Sequence, residues 1–301
     1  MSSKDLIPVS IIIPVYNRQN VVLPAIESIL NQTYTNFELI IVDDASTDST
    51  RDIVETINDK RLKYIRLNRN VGAGAARNEG IINSKHQWVA FHDSDDIWVP
   101  TKLEKQVKLI QENIPTVIFT SFIRYKNRKR EHIPDHRHIN PVEDMHKQLL
   151  LGNFIATPTV LLHKECLMKV GGFNVTMPRL QDWELWIRLS IHYPFVWIEE
   201  PLVEAYYTES SISSDENKLL EAYRLIWKLH NKLFLNAGPL YTARFLFSYG
   251  HNLALYGNLK KGRKILASSI NHQFYSLAQL VCFLLSFSGQ RIYRFMYKVM
   301  R

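Results

Sequence analysis

The sequence predicts an α/β fold, with a mostly parallel central sheet flanked by helices and a C-terminal helical region after it. Two observations carry this expectation. Over the first hundred residues, short β-branched apolar runs alternate with segments whose apolar residues recur at helical spacing. From about Asp215 the strand pattern stops and helical spacing continues. Strand–helix alternation marks βαβ units, whose right-handed crossovers cover both faces of a parallel sheet.

Val9–Val15 is the first strand, ended by Tyr16-Asn17-Arg18. In Val21–Leu30, Val22, Ile26, Ile29 and Leu30 share one helical face. Phe37–Val42 is a second strand that stops at Asp43-Asp44. Ser46, Thr47 and Ser49 are capping types that would open a helix carrying Ile53, Val54 and Ile57. Leu62–Leu67 reads as a strand, Ala73–Asn83 as a helix, and Trp88–Phe91 and Val117–Phe122 as strands. Residues 124–147 are rich in Arg, Lys, His and Asp and lack periodicity. They are expected to form a long surface loop, with His132, His136 and His138 solvated, placed where a closing lid would be useful. Thr157–Leu162 is predicted as a strand, Lys164–Val170 as a helix stopped by Gly171-Gly172, Asp182–Ile191 as a helix and Phe195–Ile198 as a strand. A small polar cluster near Ser210–Asp215 divides a domain over 1–214 from a helical region over 215–301.

Composition narrows the class. Of 301 residues, 46% are hydrophobic and 22% charged, which excludes collagen-like, disordered and polytopic membrane proteins. Cys166 and Cys282 are too few for a disulfide framework and have no metal-ligand spacing, so a reducing compartment is expected. The start, Met-Ser-Ser-Lys-Asp, leads into an apolar run broken at Pro8, Ser10 and Pro14, which does not read as a secretory leader. A cytoplasmic location follows as the expectation. The net charge of +8 is uneven: twelve Lys and Arg and no acid follow Glu221, so residues 1–221 carry −4. Two parts so different in charge are expected to have different partners.

In parallel sheets ligands bind beyond the carboxyl ends of the strands. Here those ends are acidic: Asp43-Asp44 after the second strand, and His92-Asp93-Ser94-Asp95-Asp96 after Phe91. Five carboxylates on one rim repel unless a divalent cation or arginines sit among them. Magnesium and manganese take one or two carboxylates plus substrate phosphates. In an extended segment Asp93 and Asp95 would point the same way. The alternative is an ordinary Asp-rich surface turn. Gly72-Ala-Gly74-Ala-Ala-Arg77 approaches a dinucleotide fingerprint, but Arg77 replaces the third glycine and the segment follows the third strand rather than the first. Arg77 either pairs with a carboxylate or phosphate or is a surface arginine.

Five segments in order resemble one family: Val-Ser-Ile-Ile-Ile-Pro-Val-Tyr-Asn-Arg (9–18), Val-Asp-Asp-Ala-Ser-Thr-Asp-Ser-Thr (42–50), Asn-Val-Gly-Ala-Gly-Ala-Ala-Arg-Asn (70–78), Asp-Ser-Asp-Asp-Ile-Trp-Val-Pro-Thr-Lys-Leu-Glu (93–104), and Val-Gly-Gly-Phe-Asn (170–174) followed by Gln-Asp-Trp-Glu-Leu-Trp-Ile-Arg (181–188). Together they look like the family 2 glycosyltransferases, which have the GT-A nucleotide-sugar-binding fold. The resemblance covers about residues 8–207.

That resemblance implies an inverting transferase using a nucleotide-diphosphate sugar, a UDP-sugar in the first instance, with Mn²⁺ or Mg²⁺. Pro14, Tyr16 and Asn17 would wall the base, Asp44 would accept a base N–H, and Arg77 would steady that acid or the nucleotide. Asp93 and Ser94 would approach the ribose, Asp93 or the metal, and Asp95 would ligate the metal, with Asp96 orienting its neighbours. The acceptor hydroxyl needs a base on the face opposite the leaving diphosphate, and Asp182 fits. By its position alone Asp182 reads as an N-cap, and it is the resemblance that makes it the base. The family pattern has an acid before this residue, whereas this chain has Gln181. Trp183 and Trp186 either line an acceptor site or belong to the core, with core preferred for Trp186.

By family habit the setting is cell-surface polysaccharide synthesis with a glycan or lipid-linked acceptor. A reading from another class is a catalytically silent nucleotide-sugar-binding or scaffold protein of the same fold. Nucleic acid is not an expected partner, because the tail has no recognition motif. In that tail Arg291, Arg294, Lys298 and Arg301 share one helical face, with Ile292, Phe295, Met296 and Val299 on another, behind an eleven-residue apolar stretch, Leu277–Phe287. That pattern suits either an anionic membrane surface or a homo-oligomer contact.

Overall fold

The computed structural model describes residues 7–111, 114–126, 129–135, 139–140, 143–206 and 215–300, the side chain of residue 300 excepted. In chain order the strands are β1 (Val9–Val15), β2 (Phe37–Asp43), β3 (Leu62–Arg66), β4 (Trp88–Phe91), β5 (Ile97–Trp98), β6 (Val117–Lys126), β7 (Lys129–Ile133), β8 (Val160–His163) and β9 (Phe195–Tyr206). They form one sheet ordered β3-β2-β1-β4-β8-β6-β9-β5, with β7 paired to β6. The half β3-β2-β1-β4 is parallel, as the alternation predicts. In the other half, β8 runs antiparallel to both β4 and β6, and β9 runs parallel to β6.

Strand β1 is apolar at every position but Ser10 because both of its faces are covered. Ile11, Ile13 and Val15 share a core with Val22, Ile26 and Ile29 of α1 (Val22–Leu30) and Val54 of α2 (Thr50–Glu55). On the other face α3 (Ala73–Asn83) crosses Ile12 so closely that a Cβ on Gly80 would fall 2.4 Å from Ile12 Cγ2. Gly80, three residues beyond Arg77, thus does the helix–strand packing that the third glycine of a dinucleotide fingerprint would do.

Several expectations change. Part of the supposed loop over 124–147 is a β-hairpin: β6 continues to Lys126 and β7 pairs Ile133 with Phe122. Helix α5 (Met145–Leu151) follows. Cross-strand pairing stabilises a charged hairpin whose sequence lacks apolar alternation. His132 Nε2 donates to the Glu199 carbonyl (3.2 Å), while His136 and His138 lie outside the described residues. Thr157–Thr159 is a 3-10 turn beginning at a proline-containing step, so the strand there is only Val160–His163. Strand β9 runs eight residues beyond Ile198, to Tyr206. Helix α2 follows Ser49, whose side chain makes no capping bond; Asp48 accepts from the Thr50 amide instead (3.0 Å). Helices α4 (Lys102–Val107), α6 (Lys164–Val170, closed by Gly171 at φ +83°) and α7 (Gln181–Ser190) complete this region.

The chain separates into two compact units, one of Met1–Met145, Phe154–Thr176 and Gln181–Thr208, the other of His146–Asn153, Met177–Leu180 and Glu209–Arg301. The second holds α8 (Glu216–Ala237), α9 (Pro239–Tyr256), α10 (Leu259–His272), α11 (Leu277–Leu285) and α12 (Gln290–Met300). Residues 210–214 of the expected boundary, and Arg301, lie outside the described residues. Cys166 and Cys282 are both buried free thiols.

Candidate active site

Strand order reverses at β1: the chain moves through β2 and β3 to one side, then returns to place β4 on the other. A crevice opens at such a switch point, outside the carboxyl ends of the strands. The β1–β4 pairing ends at Ile12 and Phe91, after which the His92 amide still reaches the Ile12 carbonyl (2.9 Å). Pro14, lacking an N–H, lies past this point and is half-buried.

The loops after β1 and β2 are laced together. The Asn17 amide donates to Ser46 Oγ (3.0 Å), and Asn17 Oδ1 accepts from the Thr47 amide (2.8 Å). The Arg18 amide donates to Thr50 Oγ1 (2.7 Å) and the Gln19 amide to Asp48 (3.1 Å). Asn17 (φ 53°) and Ala45 (φ 62°) both sit in the left-handed region. A non-glycine residue there costs about 1–3 kcal/mol and persists only where its surroundings hold it. Tyr16, just past the end of β1, stays 43% exposed.

The two acids after β2 divide the work. Asp43 is fully buried, accepts from the Ser46 amide (2.7 Å) and the Tyr64 hydroxyl, and pairs with Arg66 (3.6 Å). Asp44 accepts from the Val71 amide (2.7 Å) through Oδ1 and from the Gly72 amide (2.8 Å) through Oδ2. It therefore ties the β2 end to the loop that opens α3. A carboxylate has about four acceptor positions, so two bonds leave it able to accept another.

Arg77 is the hinge of the rim. Its Nη2 donates to Asp93 Oδ1 (2.6 Å) and its Nη1 to Gln181 Oε1 (3.4 Å), and its guanidinium lies 5.3 Å from the Phe173 ring centroid. The acid it steadies is Asp93, at the end of β4, rather than Asp44. Asn78, the next residue of α3, clamps Phe173 by donating to its carbonyl and accepting from its amide, both at 2.8 Å. Arg188 then ties α7 to the α6 exit, donating to the carbonyls of Val170 (2.6 Å) and Gly172 (2.8 Å) while pairing with buried Glu184 (2.7 Å). The first turn of α7, with half-buried Asp182, is thereby held to the side chain that holds Asp93. Asp182 Oδ1 accepts from the Trp183 amide (2.8 Å). Trp183 and Trp186 are both core residues, 4% and 0% exposed, so neither lines an acceptor site as an open aromatic face.

Asp93–Asp96 is a turn closed by the Asp96 amide on the Asp93 carbonyl (3.3 Å), not an extended segment. The same-face argument for Asp93 and Asp95 therefore fails, although one turn still carries both. Ser94 and Asp96 are buried, while Asp93 and Asp95 are half-exposed. Burial, then the charges of Asp93 and Asp95, push the Asp96 carboxyl well above the usual range, and Asp96 accepts from the Tyr206 amide (3.3 Å). Behind the turn, burial and the nearby Lys102 push His92 down to about 3. The Asp96 backbone lies near its ring, but neither ring nitrogen meets hydrogen-bond geometry with a partner among the described residues.

Among the described residues no group of three or more His, Cys, Asp or Glu is placed to hold a metal ion. Asp93 and Asp95 are a two-carboxylate donor set, with one oxygen of Asp93 engaged by Arg77. Such a set fits a hard cation whose remaining ligands are substrate phosphates.

Three participants escaped the sequence reading. Gln181 read only as a missing acid, yet its amide oxygen meets Arg77. The Asn78–Phe173 clamp joins residues 95 apart in sequence. Tyr206, stacked on Tyr125 with centroids 5.0 Å apart, reaches the rim because β9 is long, a length set by its pairing with β6.

Fold and rim together define a GT-A glycosyltransferase. Residues 10–171 match the model of Glycosyl transferase family 2, and the chain belongs to that family. The UDP-Glc:alpha-D-GlcNAc-diphosphoundecaprenol beta-1,3-glucosyltransferase WfaP of Escherichia coli is 34% identical over 218 residues, covering 72% of this chain and 83% of its own. A Bacillus subtilis (strain 168) protein, provisionally named the teichuronic acid biosynthesis glycosyltransferase TuaG, is 33% identical over 233 residues, with 74% and 89% covered. Among solved structures, S. aureus TarS 1–349 in complex with UDP-GlcNAc aligns with a TM-score of 0.70 at 21% identity, covering 96% of this chain and 90% of that one. Mannosyltransferase PcManGT from Pyrobaculum calidifontis, in complex with GDP-Man and Mn²⁺, aligns at 0.60 with 16% identity, covering 96% and 83%. At these identities the two structures speak for the fold alone.

Proposed function

We propose that this glycosyltransferase inverts the anomeric carbon of a UDP-sugar as it moves the sugar to a hydroxyl of a glycan or lipid-linked acceptor, in cell-surface polysaccharide synthesis. The observation that carries the proposal is the chain Asp93–Arg77–Gln181. It connects the acidic turn after β4 to the helix start that bears Asp182, across the switch-point crevice. Two acids with different duties thus belong to one assembly. The relative WfaP supports the donor and acceptor classes, because its name gives UDP-Glc and a diphosphoundecaprenol-linked sugar.

In this reading Pro14, Tyr16 and Asn17 wall the uracil, with the exposed Tyr16 ring stacking on it. Asp44 accepts the ring N–H on an acceptor position its two amide partners leave open. Asp93 and Ser94 lie at the ribose. Asp95 and Asp93 would hold Mn²⁺ or Mg²⁺, which would supply Lewis-acid stabilisation of the leaving group. The acceptor oxygen bonds to the anomeric carbon from the side opposite the diphosphate. The carbon–oxygen bond to phosphate breaks, its electron pair leaves on the diphosphate, and Asp182 takes the hydroxyl proton. Buried Asp96, held on the Tyr206 amide, keeps the turn in shape. The chain would work in the cytoplasm, peripherally on the cytoplasmic face of the membrane where a lipid-linked acceptor is presented.

A donor screen tests this. Thermal stabilisation by UDP or UDP-sugars with Mn²⁺, and not by GDP, is expected, and Asp95→Asn is expected to weaken the metal-dependent part. Stabilisation by GDP alone would overturn the base assignment, and an unchanged metal response in Asp95→Asn would overturn the metal assignment.

A further inference from the structure

Helix α11 has two apolar faces. Its inward face carries Gln279, Cys282 and, just past its end, Ser286, all buried, with Phe283 and Leu285 packed beside them on a small core. Its outward face carries Leu277 (73% exposed), Leu280, Val281 and Leu284 (57%), at the one-, three- and four-residue steps of a single helical stripe, and Phe287 (60%) extends that stripe. The polar groups of the inward face are satisfied: Gln279 Nε2 donates to Ser269 Oγ (2.8 Å) and to the Gln273 carbonyl (3.1 Å), and Arg263 Nε donates to Ser286 Oγ (3.1 Å). The helix is therefore anchored in this orientation rather than loosely placed. Helix α12 does the same. Tyr293 is buried, and Arg294 donates to the Leu255 carbonyl (2.5 Å), while Ile292, Phe295 and Val299 are 50–65% exposed and flanked by Arg291 and Lys298. Cys282 and Tyr293 enter the same small core with Ala254, Leu255 and Leu266. Both helices thus turn their apolar stripes away from one shared core.

We infer that these stripes form one docking surface for an anionic lipid bilayer, with α11 and α12 lying in the headgroup–acyl boundary. This rests on the peripheral location proposed above and supplies its physical basis. Charge decides the occupant. After Glu221 the chain has twelve Lys and Arg and no acid, which complements anionic headgroups and opposes apposition of a second copy of the same surface. Length decides the mode. No described helix is long and apolar enough to cross a membrane, and α11 has nine residues where a span needs about 20. An amphipathic helix of this kind inserts its apolar face and leaves its basic flanks at the headgroups. Because insertion is apolar, binding survives salt in part, unlike adsorption through the basic residues alone.

The test uses the full chain with vesicles of neutral phosphatidylcholine, or of phosphatidylcholine and phosphatidylglycerol, at low and high salt. Wild type is expected to sediment with the anionic vesicles, less at high salt but measurably. The double substitution Leu284→Ser with Phe295→Ser is expected to lower the partition coefficient at least tenfold at both salt concentrations. Arg291→Ser with Lys298→Ser should lower it only at low salt. Phe295→Trp should shift its emission to the blue on adding anionic vesicles. Wild type remaining in the supernatant with both vesicle types, or unchanged partition in the Leu284/Phe295 variant, would overturn the inference. So would a dimer in sedimentation velocity that this variant dissolves while vesicle binding is absent, which would assign the stripes to a second copy. Thermal stabilisation by UDP, measured on the same variants, reports folding and the donor site independently. Its loss in wild type would strike the donor reading and leave the vesicle result standing.

Discussion

Strand β1 and helix α11 differ in what they leave exposed. Every residue of β1 is buried except half-exposed Pro14, and its apolar residues fill the core on both faces of the sheet. Helix α11 turns Leu277, Leu280, Val281 and Leu284 to the surface and hides Gln279 in hydrogen bonds. In β1 apolar burial holds the fold together. In α11 the hydrogen bonds of Gln279 act beside the packing of Cys282, Phe283 and Leu285 on a small core, and a separate apolar stripe is left exposed. Apolar content alone therefore does not say which way an element faces; the partners of its polar residues do.

The comparison makes its largest prediction in β1. Ile13 is fully buried, so Ile13→Ala is expected to cost about 2–5 kcal/mol in urea unfolding, the range for a large-to-small change in a packed core. A loss below about 1 kcal/mol would mean that the sheet tolerates a cavity at its centre. The rim above β1 should respond in rate rather than stability. Asp182→Asn is expected to reduce turnover by about 10²-fold or more with UDP stabilisation retained. Transfer at the wild-type rate would remove Asp182 as the base and leave it an N-terminal helix acid.

Acid should weaken the catalytic unit through His92. Its ring is neutral in the fold, with a pKa pushed down to about 3 from 6.5, whereas the unfolded chain takes up the proton below about 6.5. The unfolded state then binds more protons between those values, so stability falls as pH drops through that window. This one group contributes up to ~1.4 kcal/mol per pH unit. Urea midpoints at pH 7 and pH 5 should converge in His92→Phe. Identical pH dependence in both proteins would place the acid sensitivity elsewhere. The smallest effect belongs to α11: Leu284→Ala, at 57% exposure, should change stability in water by no more than about 0.5 kcal/mol. A loss near that of Ile13→Ala would show that the stripe is covered in solution, and the contrast with β1 would dissolve.

Much of this molecule was legible in its sequence, because the signals are local. The period of the apolar runs in Val9–Val15, Phe37–Val42 and Ala73–Asn83 depends only on neighbours along the chain, and so does the stop at Gly171. Acids at strand ends located the rim for the same reason, since residues after a parallel strand fall at its carboxyl edge. The hairpin of β6 and β7, and the length of β9, were not legible. Those segments are held by pairing with distant strands rather than by their own alternation.

Within the site the division is sharper. The resemblance carried by the five motifs, rather than residue types alone, put Asp44, Arg77, Asp93, Asp95 and Asp182 into one expected set. Which acid Arg77 holds, and that Gln181 shares it, depends on where a side chain of α3 ends relative to β4 and α7. The two faces of α12 were readable on a helical wheel, but the wheel is blind to which face turns inward. Tyr293 and Arg294 settle that by their contacts with α9, residues 42 and 39 positions away. A pattern along the chain fixes periodicity; direction is set by long-range partners, and only the folded chain supplies them.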